Sequence, residues 1–226
     1  MLFCPNFLLF LGQNCFMIVA RQIENVIQDK KQGKIIFVND FVRYGDYDTV
    51  RKALQRMVHR NRLERLASGI YYYPKYDKIL GKLYPSIETI AKAIAKRDKA
   101  RIIPAGNYAL YLLGLSEQIP MNIVFLTDGS TRKVKINNQQ IVFKKTNPKN
   151  LVPKNKLVNL IIQALKTTKQ ENINDRHLKI IEKHIKNSNE TEQIKKEIQV
   201  APVWIRKIIT KIIDKIENEL ASSKCK

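Results

Sequence analysis

From residue 17 onward the apolar positions recur with readable periods. Ile18, Ile23, Val26 and Ile27 fall at helical spacing, Gln28–Lys31 are polar, and Gly33 is a stop signal. Lys34–Val38 is a short strand-type run. Asn39 or Asp40 suits the N-cap of a brief helix through Phe41 and Val42 that ends at Gly45. Asp46 or Asp48 then caps a longer helix reaching about Asn61. Its apolar residues Val50, Ala53, Leu54, Met57 and Val58 share one face, and Arg51, Lys52, Gln55, Arg56, His59 and Arg60 share the other. Leu63–Leu66, a turn at Ala67-Ser68-Gly69 and Ile70–Tyr73 predict a hairpin closed by Pro74, with Gly69 where a positive φ is needed.

The predicted order over 17–80 is helix, short strand, helix, helix, hairpin, which is the order of a winged helix-turn-helix. In that arrangement the longer helix enters a DNA major groove and the hairpin is the wing. Arg can hold guanine and Gln adenine through paired hydrogen bonds, so Arg51, Gln55 and Arg56 are candidate base readers. Lys52, His59, Arg60, Arg62, Arg65 and Ser68 are candidate contacts on the same helix and wing, with Lys52, Arg60 and Arg65 assigned to phosphates. A solvated basic face, or a winged helix that docks protein without touching DNA, gives the same pattern, and the adaptor stands as the alternative. Tyr71, Tyr72 and Tyr73 alternate along a strand, so Tyr72 is expected to face away from the other two, which suits core and wing surface better than base stacking.

Residues 81–150 predict a small α+β unit with antiparallel strands. Ser86 caps a helix to Arg97, Arg101–Pro104 is a short strand, and Asn107–Leu115 is a compact helix stopped at Gly114. Strands follow at Met121–Thr127, Arg132–Asn137 and Gln139–Thr146. Lys133 and Lys135 share a strand face with Asn137 and fit either phosphate contact or solvation. The carboxylates here are Glu88, Asp98, Glu117 and Asp128, and the strand after Asp128 offers no second acid for a metal-dependent nuclease. No Gly-rich phosphate loop, GxSxG or HExxH is present, so the reading is non-enzymatic, without metal or cofactor.

Residues 151–226 read as a helical tail. Leu157, Leu160, Ile161, Ala164 and Leu165 make one amphipathic helix; Leu178, Ile181 and Ile185 make a second, capped near Asn174 or Asp175; Ile194 and Ile198 mark a third. After Pro202 the last helix carries Ile205, Ile208, Ile209, Ile212, Ile213, Ile216 and Leu220 on one side, with Lys207, Lys211 and Lys215 on the other. A bundle core, a docking face and a membrane-surface helix all have this pattern, and the bundle is the plainest.

Charge sharpens the picture. Of 226 residues 41 are Lys or Arg and 20 Asp or Glu, a net charge of +21 that spreads over 17–80, 81–150 and 151–226 alike. This is a globally basic fold rather than a fold with a basic tail, and it suits a polyanionic partner. Cys4, Cys15 and Cys225 form no CxxC pair, and His59, His177 and His184 are scattered, so neither a disulfide framework nor a zinc site is expected. That cysteine usage is consistent with the reducing cytoplasm. Residues 1–16 carry no charge, and their apolar run Phe7–Leu11 is too short to span a bilayer. They read as a non-native leader ahead of Met17, with a signal peptide as the alternative.

The stretch TVRKALQRMVHRNRLERLASGIYYYP (49–74) followed by NYALYLLGL (107–115) resembles the AbiEi family of antitoxins of type IV toxin–antitoxin systems. The resemblance spans about 17–146. It rests on the arginine-studded helix, on Arg65, Leu66, Gly69, Ile70 and Tyr71 of the wing, and on Ala109, Leu110, Leu113, Gly114 and Leu115. It implies a cytoplasmic bacterial autorepressor that binds double-stranded DNA at inverted repeats in its own promoter. It also implies an antitoxin opposing a nucleotidyltransferase-like toxin without lasting contact. Oligomeric state, operator sequence and the presence of a cognate toxin stay open.

Overall fold

The computed structural model describes residues 18–224, with side chains through residue 219. The expected leader, the three cysteines and Leu220 lie outside the described side chains. The chain is α+β and its contacts divide it into two compact units, with the boundary between Ala93 and Ile94.

The first unit begins with helix α1 (18–28), whose Val19, Ile23 and Ile27 are buried at i, i+4 and i+8 while Ile18 is exposed. Strand β1 (Ile35–Phe37) leads into a 3-10 turn, Val38–Phe41. Asp40 does not cap that turn from in front. Its carboxylate reaches back to accept from the Phe37 amide at 3.0 Å. Helix α2 (Tyr47–His59) is capped by Asp46, which accepts from Thr49 N, and it buries Val50, Ala53, Leu54 and Met57. Its chain reverses at Asn61, where φ is 57°.

Strands β2 (Glu64–Ala67) and β3 (Ile70–Tyr72) follow, and the sheet order is β1-β3-β2, all antiparallel. The turn at Ser68-Gly69 uses a Gly69 φ of +69°. Tyr71 joins the core with Phe41, Leu54 and Ile36. Tyr72 is buried as well, and its hydroxyl donates to Leu83 O at 2.8 Å. As the central strand, β3 has cover on both faces. The cover on the Tyr72 side is a second hairpin, β4 (Lys75–Asp77) with β5 (Gly81–Leu83), which the sequence reading did not resolve. Helix α3 (Ile87–Arg97) starts at Ser86, whose hydroxyl accepts from Thr89 N, and the boundary between the units falls inside it.

In the second unit, four strands make one sheet of order β6-β7-β9-β8: β6 (Ile102–Ala105), β7 (Asn122–Thr127), β8 (Arg132–Ile136) and β9 (Gln139–Lys145). The expected all-antiparallel arrangement is corrected here, because β7 and β9 pair in parallel. Strand β8 serves as the crossover and then closes the edge beside β9, which slots between β7 and β8. Helix α4 (Asn107–Leu112) sends Ala109 and Leu113 into a core shared with α5 (Lys156–Thr168), α6 (Asp175–Ser188), α7 (Thr191–Glu197) and α8 (Val203–Lys224). Where the sequence suggested a boundary at 150/151, one aliphatic cluster joins the two stretches.

Helix α5 also departs from its one-faced pattern. Val158, Asn159 and Ile161–Leu165 are all buried, so it is a central rather than a surface helix. The amide of Asn159 is satisfied there by donating to Pro153 O at 2.7 Å and to Asn155 O at 3.2 Å.

Candidate nucleic-acid interface

Helix α2 forms because its apolar residues repeat at helical spacing behind an Asp cap. Hydrogen bonds from Thr49, its side chain foremost, hold the Asp46 carboxyl below its ordinary range. With about 3.6 residues per turn, Lys52, Gln55 and His59 lie opposite the buried stripe. Arg51 stands on one flank, and Arg56 and Arg60 on the other. All six are exposed.

The two flanks face different neighbours. Arg56 and Arg60 border a groove of about 440 Å³ against α1, floored by Ala20, Ala53 and Met57. Arg51 faces the β2–β3 hairpin. Burial pushes the Tyr71 hydroxyl up in pKa, and the charges of Arg65 and Arg51 pull against that shift. The Tyr47 hydroxyl stands 3.5 Å from where a Cβ on Gly69 would be, so the first turn of α2 touches the hairpin tip. Arg65 and Ser68 are exposed on that hairpin.

Three features adjust the sequence-based assignment. Arg51 is held by Asp48 at 3.2 Å, so a base could engage it only by exchange with that carboxylate. The Arg62 guanidinium is paired with Glu24 of α1 at 2.5 Å. Asp46 and Asp48 suit the positive end of the helix dipole but make that end locally acidic. The cations toward the C-terminal end of α2, Arg56 and Arg60, together with Arg65, therefore form the more anion-attracting part of the surface. Lys52, His59 and Arg60 have no ion pair among the described residues. Tyr47, exposed beside the hairpin tip, was missed by the sequence reading. Its position directly after the Asp46 cap was the available signal.

Elsewhere, Asp128, the carboxylate a nuclease would need, is clasped by Arg101. It accepts from the Arg101 amide at 2.7 Å and from Nε at 2.9 Å, which holds its pKa down. Lys133 and Lys135 are exposed on the edge strand β8. Among the described residues no group of three His, Cys, Asp or Glu could hold a metal, and no helix is long and apolar enough to cross a membrane.

These elements make the chain an α+β protein with a basic helix and hairpin exposed side by side. It belongs to DUF6088, a family of unknown function, whose family model matches residues 22–194. No curated protein matches the chain. Among solved structures it is similar to the RV2827C protein from Mycobacterium tuberculosis. The identity is 13% and the TM-score 0.45, with 87% of this chain and 76% of that chain covered.

Proposed function

We propose that residues 18–73 are a winged helix-turn-helix that binds double-stranded DNA, and that the protein is a transcriptional autorepressor. The observation that carries this reading is the exposed face of α2. It gathers Lys52, Gln55 and His59 between Arg51 on the hairpin side and Arg56 and Arg60 on the α1 side, with Arg65 and Ser68 on the adjoining hairpin. Arg and Gln side chains on a helix suit base edges in a major groove, and the remaining cations suit phosphates. A docking adaptor needs no such excess of cations on this face, and the net charge of +21 favours a polyanion.

The resemblance to AbiEi antitoxins extends the proposal to a second role, opposition to a nucleotidyltransferase-like toxin without a stable complex. A mobility shift on the DNA immediately upstream of the reading frame tests the first role, with retention of that DNA over a scrambled duplex as the expected result. Equal retention of both would remove sequence-specific repression. Co-expression with a nucleotidyltransferase encoded next to it tests the second, with restored growth as the expected result.

A further inference from the structure

The hairpin β4–β5, residues 75–83, projects apolar side chains that no core claims. Ile79 is 92% exposed and Leu80 75%, with Tyr76 and Tyr84 each at 59%. The turn that presents them is built rather than loose. The Asp77 carboxylate accepts from Ile79 N at 2.8 Å and Leu80 N at 3.0 Å, and Gly81 takes a φ of +68° to close a three-residue loop. The root is tied down by the Tyr72 hydroxyl on Leu83 O and by Lys82 on Glu64 at 2.5 Å. Two adjacent aliphatic side chains are thus held outward at a fixed apex.

The charge around them says what could cover them. Lys78 sits in the turn with no ion pair among the described residues. The Asp77 carboxylate near Lys75 already serves the turn amides. Lys82 lies 5.3 Å from the centre of the Tyr84 ring. A second copy would bring lysine against lysine and one +21 chain against another, so self-association is opposed by charge. An apolar tip flanked by lysines has the composition of the wedges that proteins insert between base steps from the minor groove.

Its placement fits as well. The tip of the β2–β3 hairpin touches the first turn of α2 at Tyr47. At the other end of α2, Asn61 and Arg62 share a cleft of about 250 Å³ with Tyr73, Pro74 and Tyr76 at the root of β4. The two hairpins therefore bracket a helix roughly 20 Å long. A minor groove flanks the major groove at about half a turn of B-DNA, on the order of 17 Å.

We infer that the β4–β5 hairpin is a second DNA contact, which enters the minor groove beside the major groove holding α2 and unstacks one base step with Ile79 and Leu80. This rests on the proposed DNA-binding role of α2. Unstacking is cheapest at a pyrimidine–purine step, so the wedge site falls there.

The test uses the full chain and a duplex of its own upstream DNA carrying 2-aminopurine at successive positions. Wild-type protein should raise the fluorescence at one flanking step. Ile79→Ser with Leu80→Ser should abolish that rise and weaken binding about 10-fold, while major-groove protection from dimethyl sulfate persists. Both positions are exposed in a turn, so folding is not at stake. Wild-type binding with no rise at any position overturns the inference and leaves the α2 reading standing. Failure of the wild-type chain to bind any duplex overturns both. A double variant that binds and unstacks like wild type, or that alters the sedimentation of the DNA-free protein, assigns the tip to protein contact and overturns the inference.

Discussion

In α8, Lys215 lies 3.0 Å from Glu182, while Asp214, Glu217 and Glu219 of the same helix receive Lys195 and Lys186 from α7 and α6. On the corresponding outward face of α2, Arg51 pairs with Asp48. Both helices bury an aliphatic stripe and turn lysine or arginine outward, and both read alike in sequence. The difference is where the carboxylates stand. Around α8 they close a seam of paired charges that fastens the helical region. Along the outward face of α2 they stand in the first turn, and beyond it Lys52 and Arg60 have no ion pair among the described residues. A basic amphipathic helix becomes a candidate for polyanion binding when its surroundings withhold counter-charges, and only the folded chain shows that.

The largest effect should come from the two buried stripes. Leu54→Ala in α2 and Ile209→Ala in α8 each remove a side chain with no exposure and should cost about 2–5 kcal/mol, read from urea denaturation. Near-neutral values at either site would mean that stripe is not core.

Next comes Gly69→Ala. A Cβ there has room, with its nearest atom at 3.5 Å, but φ is +69°, so the cost is conformational and on the order of 1 kcal/mol. The same denaturation curve measures it, and no loss would mean the turn relaxes freely.

The seam should reveal itself in acid. Hydrogen bonds from Lys186 and Lys215 hold Glu182 below its ordinary value of 4.5. A carboxyl depressed by folding contributes stability that is present above its unfolded pKa and is lost as pH falls through its folded one. The thermal midpoint of the wild-type chain should fall below pH 4.5, and Glu182→Gln should lower the midpoint at neutral pH while flattening that acid limb. Parallel acid limbs in both proteins would contradict the seam.

The smallest effect belongs to single phosphate contacts. On the proposed reading, Lys52→Ala or Arg60→Ala should reduce the slope of log affinity against log salt by about one. Lys186→Ala and Lys215→Ala should leave that slope as it was. Equal effects from both pairs would erase the distinction between the two helices.

Local periodicity carried much of the fold. The Asp46 cap, the buried stripe of α2, the turn at Gly69 and the Asn174 cap of α6 follow from neighbouring residues, and the structure has them. What escaped depends on partners distant in sequence. The parallel register of β7 with β9 is not written in either strand's alternation. Asn159 and Gln163 look like a polar face of α5, yet both are buried. The β4–β5 hairpin has no buried face on β4, so it gave no hydrophobic period, although Asp77 and Gly81 four residues apart were a turn signal. Within the candidate site, exposure of the named residues could be inferred from period alone. The Arg51–Asp48 and Arg62–Glu24 pairs could not, because each depends on side-chain placement in the folded unit.

Fluorescence anisotropy on the chain's own upstream duplex, at fixed salt, bears most directly on the central proposal. Wild-type protein should bind it more tightly than a scrambled duplex, and Gln55→Ala or Arg56→Ala should each weaken that binding roughly 10- to 100-fold while Lys215→Ala stays near wild type. Equal affinity for both duplexes, or α2 variants that bind as tightly as wild type, would contradict it.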